Sequence, residues 1–148
     1  MKVLLTGDQG FVGTETKRVL DELKINYFGY DILNGFDIRD GVQFENVLKE
    51  IKPNRILHLA AIARFADADK DPLLAYETNA QATRNIAILA GKYHIPIVYA
   101  STGSVYMPIK REPPITEDFS VQGNSVYGCT KAVGEKYIQH FASPWIIL

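Results

Sequence analysis

Polar and apolar positions along the chain alternate between two periods. Short runs of strand character occupy residues 3–5, 26–31, 55–60, 95–101 and 145–148. Between them, apolar residues recur at helical spacing, first as Val12, Val19, Leu20 and Leu23, then as Phe44, Val47, Leu48 and Ile51 before Pro53 stops the pattern. Pro72 suits the first turn of a long helix running to about Ala90, with Gly91 as its stop, and a last helix spans about 125–141. Residues 61–71 read as irregular, and 107–124, with Pro108, Pro113 and Pro114, as a surface loop. Strand alternating with helix predicts an α/β fold, a doubly wound parallel sheet of order 3-2-1-4-5 with helices on both faces. Such sheets take ligands at the carboxyl ends of their strands.

Composition narrows this without redirecting it. The 148 residues make one domain, and 47% hydrophobic with 22% charged residues is the balance of a globular protein. A net charge of −1 leaves no basic footprint for nucleic acid or an anionic membrane. The lone Cys129 excludes an internal disulfide and any multi-cysteine metal site, and reads as packing. Met1-Lys2 leads straight into the first strand and no apolar run approaches a membrane span, so a cytoplasmic protein without a signal peptide is expected.

The chemistry begins at Thr6-Gly7-Asp8-Gln9-Gly10-Phe11-Val12-Gly13, where the first strand turns into the first helix. The spacing is G-x-x-G-x-x-G, not the more familiar G-x-G-x-x-G. Gly7 can take a positive φ, Gly10 lets a phosphate approach bare backbone, and Gly13 lets helix and strand pack closely. A helix N-terminus there offers free N–H groups and partial positive charge to a pyrophosphate. Asp31, 18 residues past Gly13, ends the second strand where a carboxylate can accept from ribose hydroxyls. No Arg or Lys lies in 32–38 to receive a 2′-phosphate, which points to NAD rather than NADP.

Two further groups sit farther along. Tyr127 and Lys131 are i and i+4 on the last helix and share a face. An ammonium beside a phenol favours the phenolate, which can act as a general base. The fourth strand runs out into Ser101-Thr102-Gly103-Ser104-Val105-Tyr106, whose hydroxyls can bond a substrate oxygen. Each group alone has an ordinary reading, as a turn or a solvated helix face. Their order and spacing together are specific.

With those residues in hand, the chain resembles the short-chain dehydrogenase/reductase superfamily, and within it the extended branch of NAD-dependent nucleotide-sugar epimerases and dehydratases. The resemblance covers essentially the whole chain and implies a Rossmann-like NAD-binding domain over 1–148. Thr6-Gly7-Asp8-Gln9-Gly10-Phe11-Val12-Gly13 is similar to the branch's TGxxGFxG turn. Asp37-Ile38-Arg39-Asp40 is similar to its DhRD loop, in which Asp37 and Ile38 would contact adenine. His58-Leu59-Ala60-Ala61 is similar to its HLAA segment, which lines the cofactor, and Asn79 to the asparagine that supports the nicotinamide end. Thr102, Tyr127 and Lys131 stand at the catalytic positions. The resemblance implies that Tyr127 takes a proton from a sugar hydroxyl while hydride passes to NAD. Thr102 would bridge the two, and Lys131 would hold the nicotinamide ribose.

The departures are informative. Gly103 and Ser104 stand where dehydratases of this branch carry acids after the threonine, which favours an epimerase or a reductase. Met107 replaces a usual glycine and Thr130 a usual serine. Extended members also carry a C-terminal substrate-binding region of comparable size. The chain therefore reads as the cofactor half of a longer protein, expected to bind NAD and to turn over slowly or not at all. Two other readings stay open: a catalytically silent NAD-binding module, and a dehydrogenase or reductase of a non-sugar alcohol or ketone. A homodimer through the long helix and the Tyr127 helix is a further implication, with Ala82, Ile86, Leu89, Val133, Tyr137 and Phe141 as apolar candidates that would serve equally well as core.

Overall fold

A computed structural model describes residues 1–106 and 115–148. Met107, Pro108, Pro113 and Pro114, read above as part of a surface loop, lie outside the described residues. Strands β1 (Lys2–Thr6), β2 (Asn26–Tyr30), β3 (Arg55–His58), β4 (Ile97–Tyr99) and β5 (Trp145–Ile147) form one five-stranded sheet, parallel throughout. The connecting helices are α1 (Phe11–Glu22), α2 (Gly41–Ile51), α3 (Phe65–Lys70), α4 (Pro72–Tyr76), α5 (Ala82–Lys92) and α6 (Val126–Phe141). The α/β class and the doubly wound sheet expected from the periodicity are what the chain adopts.

The strand order is β2-β1-β3-β4-β5, which corrects the expected 3-2-1-4-5. After β2 the chain makes a short 3-10 turn at Ile32–Asn34 and enters α2 without laying down another strand. The crossover through α2 therefore carries β3 back across β1, where Thr6 pairs with His58 on one side and with Tyr30 on the other. The direction in which strands are added reverses about β1, and the switch point opens between β1 and β3. That is where a ligand crevice belongs.

Apolar side chains of the buried strands and facing helices make the core, with Leu4, Tyr30, Phe44, Ile56, Ile86, Ile97, Tyr99 and Ile138 among its members. Ala82 and Ile86 are 1% exposed and belong to this core, so they are not available to a dimer face, whereas Val133 and Phe141 are each 37% exposed. Of the apolar positions read on α1, only Leu20 is buried. Cys129 is exposed and not packed inside, because α6 turns that position outward.

Two differences from the periodic reading bear on the site. Residues 61–71, expected to be irregular, contain the short helix α3. The long helix starting at Pro72 contains a π turn at Glu77–Gln81 between α4 and α5. The π turn bulges where Asn79 is buried and its side chain reaches off the helix. Among the described residues, no helix is long and apolar enough to cross a membrane.

Candidate functional site

At the switch point β1 ends in Thr6 and the chain turns at Gly7, whose φ is +72°. A Cβ on Gly7 would lie 2.7 Å from Ala60 N, and one on Gly13 only 2.0 Å from Gly7 O. Both positions therefore need glycine for close backbone approach, as the sequence predicts. Gly10 is the N-cap of α1, has no side chain to cap the helix, and no acid sits in the first turn. Phe11, Val12 and Gly13 thus start the helix with N–H groups that no cap satisfies. The Phe11 side chain is 96% exposed and Val12 59%, so what they bring to this mouth is backbone.

A cleft of about 360 Å³ opens beside the turn. Gly7, Gly10, Asp31, Asp37, Ile38, Leu59, Ala60 and Ala61 all line it, joined by Tyr30, Ile32, Phe36, Arg39, Ile62, Leu74 and Thr78. β3 stops at His58, so Leu59, Ala60 and Ala61 belong to the loop beyond the strand. Asp31 takes N–H bonds from Leu33 (3.0 Å, at Oδ1) and Gln9 (3.2 Å, at Oδ2). A carboxylate has about four acceptor positions, so it can still receive a hydroxyl. Asp37 is gripped by the Arg39 guanidinium, with Nε 3.0 Å from each oxygen, and this holds its carboxyl below the usual range.

Beneath the turn lies a residue that sequence reasoning passes over. Asp8 is 2% exposed and accepts from Gln9 Nε2 (2.6 Å), Lys17 Nζ (3.2 Å) and Asn34 Nδ2 (3.3 Å). It ties the turn to α1 and to the loop after β2. Its space exists because position 29 is glycine, where a Cβ would sit 2.5 Å from the carboxylate.

Away from the cleft, a hydrogen-bonded chain crosses the interior. Ala60 N–H bonds Thr6 Oγ1 (3.2 Å), which lies 2.8 Å from His58 Nδ1. His58 Nε2 is 2.9 Å from Thr83 Oγ1, which itself donates to Asn79 O (2.7 Å). Since Thr83 spends its proton on that carbonyl, it accepts from His58 Nε2–H, and Nδ1 then accepts from Thr6. The ring is fully buried and neutral. Burial first, and the Lys131 ammonium second, pull its pKa down to about 3.

Asn79 extends the chain. Its Oδ1 accepts from Ile62 N (2.8 Å), while Nδ2 donates to Ile62 O (3.0 Å) and Thr130 Oγ1 (3.1 Å). Thr130 donates to Tyr127 O (2.8 Å), which accounts for a hydroxyl at that position.

Thr102 ends the loop after β4, and its Oγ1 accepts from Ser104 N (3.2 Å), while its hydroxyl proton has no acceptor among the described residues. Tyr127 stands in the first turn of α6, its ring edge-on to Phe65 at 5.5 Å. Lys131 is 2% exposed, with Nζ 3.9 Å from the Tyr99 ring centroid. Burial pulls its pKa down to about 7, against the opposing pull of Glu135. Tyr99 Oη has no hydrogen-bond partner among the described residues, and α6 packs so close to it at Gly134 that a Cβ there would lie 2.4 Å away. Thr102, Tyr127, Lys131 and Asn79 do not line the cleft. Among the described residues, no hydrogen bond joins the Thr102, Tyr127 and Lys131 side chains to one another. Nor could any group of three or more His, Cys, Asp or Glu among those residues hold a metal ion.

Comparison with known proteins gives this geometry a context. The family model described as the RmlD substrate binding domain matches residues 1–148. A dTDP-4-dehydrorhamnose reductase of Escherichia coli (strain K12) is 30% identical over 99% of this chain and 50% of its own length. The chain spans about half the length of the curated relatives it matches. The crystal structure of a dTDP-4-dehydrorhamnose reductase from Bacillus anthracis in complex with NADP superposes with a TM-score of 0.91 at 28% identity, over 99% of this chain and 51% of that one. UDP-glucose 4-epimerase of Thermus thermophilus, in complex with NAD, superposes at 0.90 with 26% identity, over 99% and 54%.

Proposed function

This chain belongs to the RmlD substrate binding domain family, and from that premise we propose that it binds NAD in the cleft between β1 and β3 and is the cofactor half of a cytoplasmic epimerase or reductase of nucleotide-activated sugars. One observation supports the reading: the uncapped start of α1 at Gly10, the Gly7 backbone and the Asp31 carboxylate line a single cleft. The N–H groups of Phe11, Val12 and Gly13 receive the pyrophosphate, and Asp31 accepts from the adenosine ribose. On this reading Asp37 and Ile38 contact the adenine, and Leu59, Ala60 and Ala61, which line the same cleft, lie along the cofactor.

The reactive end lies toward α6. NAD, when bound, supplies a hydride acceptor. Tyr127 takes the proton of the sugar hydroxyl, with Thr102 donating its free hydroxyl proton to the same oxygen. Lys131 holds the nicotinamide ribose as a cation, and Asn79 keeps the 62 loop and the first turn of α6 in register. Because the chain spans about half the length of its curated relatives, the sugar-nucleotide site on this reading lies in the other half, and the 148 residues bind the dinucleotide and turn over slowly or not at all. Self-association, if used, runs through the outer face of α6 with Val133 and Phe141, not through Ala82 and Ile86.

A specific observation favours a second outcome for the cofactor. Arg39 lines the cleft, paired with Asp37 and more loosely with Glu77, and is a cation within the cleft that a 2′-phosphate would attract. Calorimetric titration of the chain with NAD and NADP decides. Micromolar NAD with NADP at least tenfold weaker is expected. Tighter binding of NADP would transfer the assignment to NADP, equal affinity would remove the preference for NAD, and binding of neither would end it. Steady-state epimerisation of a UDP-hexose by the 148-residue chain alone would refute the need for a further region.

A further inference from the structure

Glu135 is a buried acid that the chemistry above leaves unused. It is 6% exposed and lies on α6 one turn past Lys131, on the same face. Its Oε1 accepts from Ser101 Oγ, and Ser101 directly precedes Thr102 after β4. A lone carboxylate and a lone ammonium are each costly to bury, and the cost falls when opposite charges share the site. Here Lys131 lies over the Tyr99 ring and Glu135 bonds Ser101, so the two charges share the buried layer between β4 and α6 without a direct ion pair between them.

We propose that Glu135, held in place by Ser101, is the counter-charge that keeps Lys131 an ammonium, and so a positioning residue for the Thr102, Tyr127 and Lys131 set. The assignment rests on the role given to Lys131 above. The titratable groups around Lys131 are Tyr99 on β4, His58 at the end of β3, and Tyr127 and Glu135 on α6. The π turn and α5 contribute Asn79 and Thr83, which do not titrate. Of those groups Glu135 is the one that offers an opposite charge, and the Tyr99 ring face adds a cation–π contact that also favours the charged amine. Desolvation opposes it, and Lys131 already works against a proton on His58. Without the carboxylate, the amine would shed its proton at lower pH and lose its hold on a hydroxyl oxygen.

The test is an NMR titration of the full chain carrying ¹³Cε-lysine, with the Lys131 signal assigned from Lys131→Ala. In Glu135→Gln the Lys131 midpoint is expected to fall by about one pH unit or more. A folded Glu135→Gln chain whose midpoint moves by less than about 0.3 unit, well under the shift a buried counter-charge gives, overturns the proposal and leaves Glu135 as a tether for Ser101. If that variant does not fold, the unaltered chain still decides. Coupling is reciprocal, so the Glu135 carboxyl ¹³C signal must move as Lys131 titrates, and a flat signal overturns the proposal. Neither readout needs a dinucleotide. Failure to bind NAD would therefore sink the cofactor assignment and with it the positioning role, while the Glu135–Lys131 coupling would still be decided by these readouts.

Discussion

The two ends of the sheet's carboxyl edge are built on different principles. Around β1 and β3 the cleft is made of backbone: a left-handed Gly7, a close-packed Gly13 and an uncapped helix start. Around β4 and α6 the architecture is side chains and buried charge, with His58, Asn79, Thr130, Lys131 and Glu135 all 6% exposed or less. Backbone sites recognise through fixed geometry and tolerate little substitution at the contact itself. Side-chain networks recognise through protonation state, and their weak points are the bonds between members. Each end should therefore fail in its own way.

The largest effect is expected at the backbone end. Gly13→Val puts a Cβ within 2.0 Å of Gly7 O and must displace the turn. A stability loss of about 3 kcal/mol or more is expected, with dinucleotide binding abolished, read by denaturant unfolding and calorimetry. A Gly13→Val chain of native stability would mean that the turn is not a rigid element.

The network end should break with acid. The folded chain holds His58 at about 3, below its ordinary 6.5, so the unfolded chain binds the extra proton. Stability is then full above about pH 6.5 and is lost as pH falls toward 3, by on the order of 4 kcal/mol. Unfolding free energy measured from pH 7 to 4 checks this, and a flat profile would place His58 outside the buried network.

Asp31→Ala is expected to weaken NAD about tenfold by removing a charged acceptor, and to narrow the gap between NAD and NADP. Titration of both cofactors checks it, and an unchanged NAD-to-NADP ratio would remove Asp31 from ribose recognition. The smallest effect belongs to Thr130→Val. That change deprives Asn79 Nδ2 of one of two acceptors and should cost about 1–2 kcal/mol in denaturant unfolding while leaving the cleft between β1 and β3 intact.

The same contrast governs how much of the molecule is legible in its sequence. Glycines at 7, 10 and 13 are legible because their function is the absence of a side chain, and periodicity gives away strands and helices. The order of the strands is not, because it turns on where the crossover through α2 sets β3 down, and no local pattern records that. Residues 32–40 lay down no strand; Asp37 and Asp40 there serve a turn and a helix cap. Asp8 escapes a sequence reading because its partners Lys17, Asn34 and Gly29 come from three separate elements, which only folding brings together. Thr130, unexplained as a sequence departure, acquires a reason once Asn79 and Tyr127 O are seen on either side of it. Tyr99 Oη acquires none.

The π turn at Glu77–Gln81 has a consequence for how this chain can change length. An α-helix advances about 100° per residue, so one residue more or fewer rotates everything downstream by that angle. A π turn holds one such surplus residue. Deleting a residue there can restore a regular helix that keeps the Ala82, Ile86 and Ala90 stripe facing the core, while withdrawing Asn79 from Ile62 and Thr130. Scaffold and site are thus separable at this single point. A one-residue deletion between 77 and 81 is the shortest route by which the fold could persist after its chemistry has gone.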